Sequence, residues 1–222
     1  LFYLANTKLM LPSYTKELKG LWNQWLAKRY RTRKKLQAAW TTPEGFCALQ
    51  STEDPVKGTV EMPTCHLYAK LKDDNGDPLR AAVRLNALTR FLYDLEVAYY
   101  AEMTAHLRML GLKCLITGTN QDFSDASNRA NAACQAMTRN NYWCHPNVHA
   151  KPFNRFRNLA MLSSEIFRTA TPIANVASST VVGKPMIIPE FNFPWPNEFR
   201  AECLPVTMAY AALQEWDGVL FF

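Results

Sequence analysis

No apolar run in this chain reaches the roughly 18 residues that a membrane-spanning helix needs, which excludes the usual transmembrane signature. There is no internal repeat and no low-complexity tract, so a solenoid or fibrous architecture is not expected. The six cysteines, Cys47, Cys65, Cys114, Cys134, Cys144 and Cys203, contain no CxxC pair and no compact spacing. A disulfide framework is not required in a chain this long, and the thiols read as mostly free or buried. Cys134, Cys144, His145 and His149 fit no standard zinc spacing, so no metal is expected. Leu1 is followed by no charged leader or cleavage site, so no signal peptide is legible.

What is present points to a globular α/β protein. Apolar residues make up 48% of 222, enough for one sizeable core, and the reading takes residues 1–222 as one domain. The formal charge is +6, much of it in Lys28-Arg-Tyr-Arg-Thr-Arg-Lys-Lys35. No nucleic-acid motif accompanies this run, and it lies where one helical pattern ends and the next begins. Cations there complement a helix C-terminus, so a solvated junction is expected rather than nucleic-acid binding.

Ser13 is the expected N-cap of a helix to Tyr30, with Leu18, Leu21, Trp22, Trp25 and Leu26 at helical spacing. A short helix follows over 33–40. Residues 41–77 read as an irregular insertion with a turn at Asn75-Gly76. The longest helical pattern runs from Pro78 to Leu110 along Val83, Leu85, Leu88, Phe91, Leu92 and Leu95, and Gly111 sits where a terminating glycine belongs. Later helices are expected over 126–137, around 158–169, and from Asn197 to about Leu213. Between them four short apolar strands are expected, at about 112–118, 140–143, 185–190 and 217–222. Helix and strand alternate, which predicts parallel pairing with a site at the C-terminal ends of the strands.

The segment Gly183-Lys-Pro-Met-Ile-Ile-Pro-Glu190-Phe-Asn192-Phe-Pro-Trp195 carries most information. A buried strand with a carboxylate at its C-terminal tip is how (β/α)8 enzymes present catalytic groups. Read from residue type alone, Glu190 is either such a group or an ion-paired carboxylate at a strand end. Tyr142 is either its partner or an ordinary core aromatic. Asn120 is a substrate contact or a loop cap, and His145 lines a cleft or is structural. Trp143, Trp195 and Trp216 are candidate platforms for stacking on sugar rings.

These segments, with Leu21-Trp-Asn-Gln-Trp25-Leu, Phe91-Leu-Tyr-Asp-Leu95, Ile116-Thr-Gly-Thr-Asn120, Tyr142-Trp143-Cys-His145-Pro146 and Trp216-Asp-Gly218, resemble the clan A, cellulase-like glycoside hydrolases. The resemblance implies a (β/α)8 TIM barrel of which this chain would supply only strands five to eight, the C-terminal half, plus the insertion. It implies a retaining enzyme acting on β-linked glycans, secreted or periplasmic, requiring no cofactor. It assigns Glu190 as nucleophile and Tyr142 as the hydrogen-bond donor that holds it, with Asn120, Trp143, His145, Asn192, Trp195 and Trp216 lining the subsites. The family's acid/base glutamate follows an Asn ahead of the helix bearing Trp22 and Trp25, and Leu1–Leu11 contain no such pair. The alternative is therefore a non-catalytic, carbohydrate-binding barrel protein. Arg31 also departs from the family, standing where a turn glycine is usual. An open half-barrel would either self-associate or join a missing N-terminal half.

Overall fold

The computed structural model describes residues 11–63, 82–120, 124–142, 171–192 and 200–221, which form two compact units, Leu1–Glu96 and Val97–Phe222. In the first unit α1 spans Pro12–Tyr30 and α2 spans Arg33–Ala39. Helix α3, Ala82–Met109, begins in this unit and continues into the second. The expected cap at Ser13 is corrected. Leu11 is the N-cap and Pro12 starts the helix, because its fixed φ suits the first turn and the missing N–H costs nothing there. Helix α1 ends at Arg31, whose φ of 64° is the left-handed conformation that favours glycine. Thr32 then caps α2 by accepting from the Lys35 amide, so the basic run does form a helix junction.

Leu18, Trp22 and Leu26 are buried on α1, and Trp22 meets Trp40 at 6.1 Å and Phe91 at 5.4 Å. The buried stripe of α3 within this unit is Arg84, Ala87, Leu88, Phe91, Leu92 and Glu96. The irregular stretch between α2 and residue 63 is organised by one ion pair rather than by strands. Arg84, fully buried, donates to both carboxylate oxygens of Glu53, at 2.5 and 2.9 Å, to the Ala48 carbonyl at 2.8 Å, and to the Glu61 carbonyl. Glu53 also accepts from the Gln50 and Glu61 amides, each at 2.9 Å. Burial pushes the Glu53 carboxyl up, but the Arg84 and backbone donors outweigh it and hold the carboxyl below its ordinary value. The Arg84 guanidinium lies 5.0 Å from the Trp40 ring centroid.

The second unit carries a parallel sheet. Helix α3 ends as expected, with Gly111 at φ 88° and the Leu112 and Gly111 amides closing on Leu107 and Arg108. Then follow α4 (Asp125–Asn131), β1 (Met137–Thr138), α5 (Thr171–Ala177), β2 (Met186–Phe191), α6 (Cys203–Leu213, entered through a 3-10 turn at Arg200–Glu202) and β3 (Gly218–Phe221). Strand order is β1-β2-β3, all parallel. A fourth strip lies beside β1, since Thr117 bridges Ala136 in parallel. Spatial order thus follows chain order, the arrangement that short βα connections produce.

Two strand expectations shift. Leu112–Leu115 form no strand, for Leu112 and Leu115 are exposed, and pairing begins only at Ile116. The expected 140–143 strand starts earlier, at Met137, because Met137 packs in the core beneath α5 and α6. Helix α4 stops at Asn131, six residues short of expectation, and Cys134–Ala136 turn the chain into the sheet. The helix expected around 158–169 and the Asn75-Gly76 turn lie outside the described residues.

One face of the sheet is covered by α5 and α6. Met137, Met186, Ile188 and Phe191 pack there against Ile173, Val176, Cys203, Ala211 and Trp216. Alternation along β1 places Arg139 on this same face, where it donates to Ser179 just after α5 at 2.7 Å.

Candidate active site

The opposite face carries the candidate chemistry. Along β1 and its continuation, Thr138, Asn140 and Tyr142 alternate away from Met137 and Arg139 and so share a face. Backbone bonds bring three segment ends together. The Asn140 amide donates to the Asn120 carbonyl at 2.9 Å, and the Asn141 amide donates to the Glu190 carbonyl at 3.0 Å. Glu190 lies one residue from the C-terminal end of β2, the middle strand, and is half-buried. The Tyr142 hydroxyl donates to Glu190 Oε2 at 2.7 Å. That is the length of a charge-assisted hydrogen bond to a carboxylate.

Tyr142 is pushed up to about 12, first by desolvation and then by the bond to Glu190 and its charge. The phenol therefore stays protonated across the neutral range and remains a donor to the carboxylate. A carboxylate held at one oxygen by a fixed donor leaves the other oxygen available to attack or to accept. Asn192 follows β2 directly and is half-buried, as is Asn120 at the end of its strip.

Trp216 is corrected. It precedes β3, at the end of the sheet opposite Glu190, and is buried in the core cluster. Its position follows from how α6 ends. Glu215 takes φ 55°, the Glu215 amide closes on Ala212, and the Trp216 amide closes on Ala211 at 2.9 Å. That paired closure folds the residue after the turn back onto its own helix, so Trp216 packs with Ala211 instead of facing a sugar. Trp143, His145 and Trp195 lie outside the described residues.

The segment bearing Asn120 is anchored by side chains. The Thr119 amide donates to Tyr100 Oη at 3.0 Å and to Asn131 Oδ1 at 3.1 Å, and Asn131 Nδ2 returns a bond to the Thr119 carbonyl. Gly118 allows this approach, since a Cβ there would lie 2.2 Å from Asn131 Oδ1 and 2.8 Å from Tyr100 Cζ. A separate open groove of about 850 Å³ belongs to the first unit, between α1 and the 55–58 turn. Among the described residues its walls include Lys16, Lys19 and Lys57 but no carboxylate and no aromatic ring, so these offer neither half of the expected chemistry. Among the described residues no three His, Cys, Asp or Glu side chains converge in a way that could hold a metal ion.

Sequence reasoning missed two features. The buried Glu53–Arg84 pair had one signal, a charged residue spaced four and seven positions before Leu88 and Phe91 on an apolar helix face. The irregular register of β2 had another, a proline inside an apolar strand. Comparison with known proteins finds no family model, no curated protein and no solved structure that matches this chain.

Proposed function

We propose that the chain is the C-terminal half of a (β/α)8 barrel glycoside hydrolase that cleaves β-linked glycans with retention. The observation that carries this reading is the Tyr142–Glu190 pair at the C-terminal end of the central parallel strand. Catalytic groups of such barrels come from strand ends of this kind. The sequential parallel order of the Ile116–Asn120 strip, β1, β2 and β3 supports it, because successive strands of a barrel are neighbours.

In this reading the free Glu190 oxygen attacks the anomeric carbon as the bond to the leaving oxygen breaks. Tyr142 holds the other oxygen and keeps the carboxylate from rotating. A second carboxylate must protonate the leaving oxygen and then activate water. That group is expected on the strand preceding α1 in the barrel, and Leu1–Leu11 hold no acid. General acid catalysis contributes about 10²–10⁴-fold, so the 222-residue chain should turn over ordinary glycosides poorly.

The test avoids the acid. A fluoro-deoxy β-glycoside with a dinitrophenolate leaving group needs no proton for departure, and its fluorine slows hydrolysis of the adduct. Intact mass followed by peptide mapping should place a glycosyl ester on Glu190, absent in Glu190→Gln. A panel of gluco-, galacto-, manno- and xylo-configured probes that leaves Glu190 unlabelled would overturn the reading. Retained binding of β-glucan in that case would favour the carbohydrate-binding alternative.

A further inference from the structure

Strict alternation along β2 would put Met186, Ile188 and residue 190 on one face, the face covered by α5 and α6. Met186 and Ile188 do lie there, but Phe191 takes the next place, and the Glu190 carboxylate meets the Tyr142 hydroxyl instead. The strand therefore changes phase between Ile188 and Phe191. Both neighbours record the slip. Toward β3, Ile188 pairs with Val219 and Phe191 with Phe221, three steps against two. Toward β1, the Met137, Arg139 and Asn141 amides donate to the carbonyls of Pro185, Ile187 and Glu190, two steps and then three on β2. One extra residue sits in the middle strand of the sheet, which is a β-bulge.

The extra residue has an identifiable origin. In a regular parallel ladder the Arg139 amide bonds Ile187, and residue 189 then donates back toward the Arg139 carbonyl. Residue 189 is proline and has no hydrogen to give. Within sheets proline is confined to edge strands, strand starts and bulges, so in a middle strand it goes with a break in the ladder.

We propose that Pro189 is a positioning residue: by breaking the β2 ladder it turns Glu190 from the helix-covered face to the face of Tyr142. Its catalytic consequence rests on Glu190 being the nucleophile, but its structural consequence does not. Restoring the amide with Pro189→Ala removes the obstacle to a regular register. Glu190 is then free to swing toward the covered face, where its charge would be desolvated, or to fluctuate between the two.

Two readouts separate the claims. Tyrosinate difference titration of the wild-type chain against Glu190→Gln isolates the Tyr142 transition without any sugar. Wild-type Tyr142 should titrate near 12, and Pro189→Ala should lower it as Glu190→Gln does, by the part owed to the Glu190 bond and charge, while the larger part owed to burial remains. The second readout is the rate of covalent labelling by the fluoro-deoxy probe, which should fall about 10²-fold, the scale of a 1 Å misplacement of a reacting group. A Pro189→Ala chain that keeps both the wild-type titration and the wild-type labelling rate overturns the proposal. Unlabelled wild type with a displaced Tyr142 titration in Pro189→Ala sinks the nucleophile and keeps the positioning role. If Pro189→Ala does not fold, nuclear Overhauser contacts in the wild-type chain decide. Contacts from the Glu190 methylenes to the Tyr142 ring support the bulge, and contacts from them to Ile173 or Cys203 refute it.

Discussion

Replacing Arg84 with methionine tests how the first unit is held together. The change keeps most of the side-chain stem beneath Trp40 and removes the guanidinium. Glu53, only 2% exposed, then keeps its Gln50 and Glu61 amide donors but loses its counter-ion. The Ala48 and Glu61 carbonyls lose a donor each. Breaking a buried pair at one partner costs about 3–5 kcal/mol, because the remaining charge cannot reach water. For a chain of this size each kcal/mol is worth roughly 2–4 °C, so the melting temperature should fall by about 6–20 °C. The Glu53 carboxyl lies below its ordinary value in the folded chain. Its contribution is therefore complete above the unfolded carboxylate pKa and is lost as pH falls through the lower folded value. Urea unfolding followed by tryptophan fluorescence at neutral and acid pH measures both effects. Wild type should lose stability toward acid more steeply than Arg84→Met. Adding Glu53→Leu to Arg84→Met should not restore wild-type stability, since the Gln50 and Glu61 amides then lose their acceptor at about 1–3 kcal/mol each. An Arg84→Met chain within about 1 kcal/mol of wild type, the worth of an exposed pair, would refute the argument.

The Tyr142 phenol, raised to about 12, contributes stability that is whole below pH 10.0 and is lost as pH rises through about 12. Alkaline unfolding monitored by circular dichroism should show that loss in wild type and not in Tyr142→Phe. Arg31→Gly should stabilise the chain by about 1 kcal/mol in thermal unfolding, because φ 64° costs a side-chain-bearing residue what it does not cost glycine. Gly118→Ala should destabilise by about 1–3 kcal/mol through overlap with Asn131 and Tyr100, read as a lower urea midpoint. Turnover of an aryl β-glycoside with an activated leaving group should rise on adding azide and vanish in Glu190→Gln. Azide-independent activity surviving Glu190→Gln would remove Glu190 from the mechanism.

The legible parts of this fold are those where local rules and tertiary structure agree. Gly111 ended α3 because a left-handed residue is needed there and glycine supplies it. The alternation of β1, β2 and β3 with helices was readable from short apolar runs between amphipathic ones. Trp216 is hard to place from sequence because an aromatic next to an apolar strand can sit at either end of the sheet in space. The Glu215 turn that decides this has no glycine to announce it. Leu112–Leu115 read as a strand because apolar density does not say whether a partner lies alongside. Arg84 and Glu96 are not legible as buried because a hydrophobic stripe is recognised by its apolar residues, and ionisable side chains at stripe positions interrupt it. The direction of Glu190 was the hardest to read, since parity along β2 gives the wrong face unless the proline is recognised as a phase change.

The anchoring of Thr119 has a kinetic consequence. Its amide is protected by two side-chain oxygens, from Tyr100 and Asn131, rather than by a strand carbonyl. Hydrogen exchange at that amide therefore requires a tyrosine and an asparagine to leave their rotamers, not two strands to part. The next carbonyl along, Asn120, receives the Asn140 amide two residues before Tyr142. Opening the clamp would release that bond in turn. Thr119 and Asn140 should then exchange as one unit, faster than the Arg139 amide bonded within the sheet to Ile187. The breathing of the candidate site would be timed by an asparagine on α4 rather than by the strands that carry it.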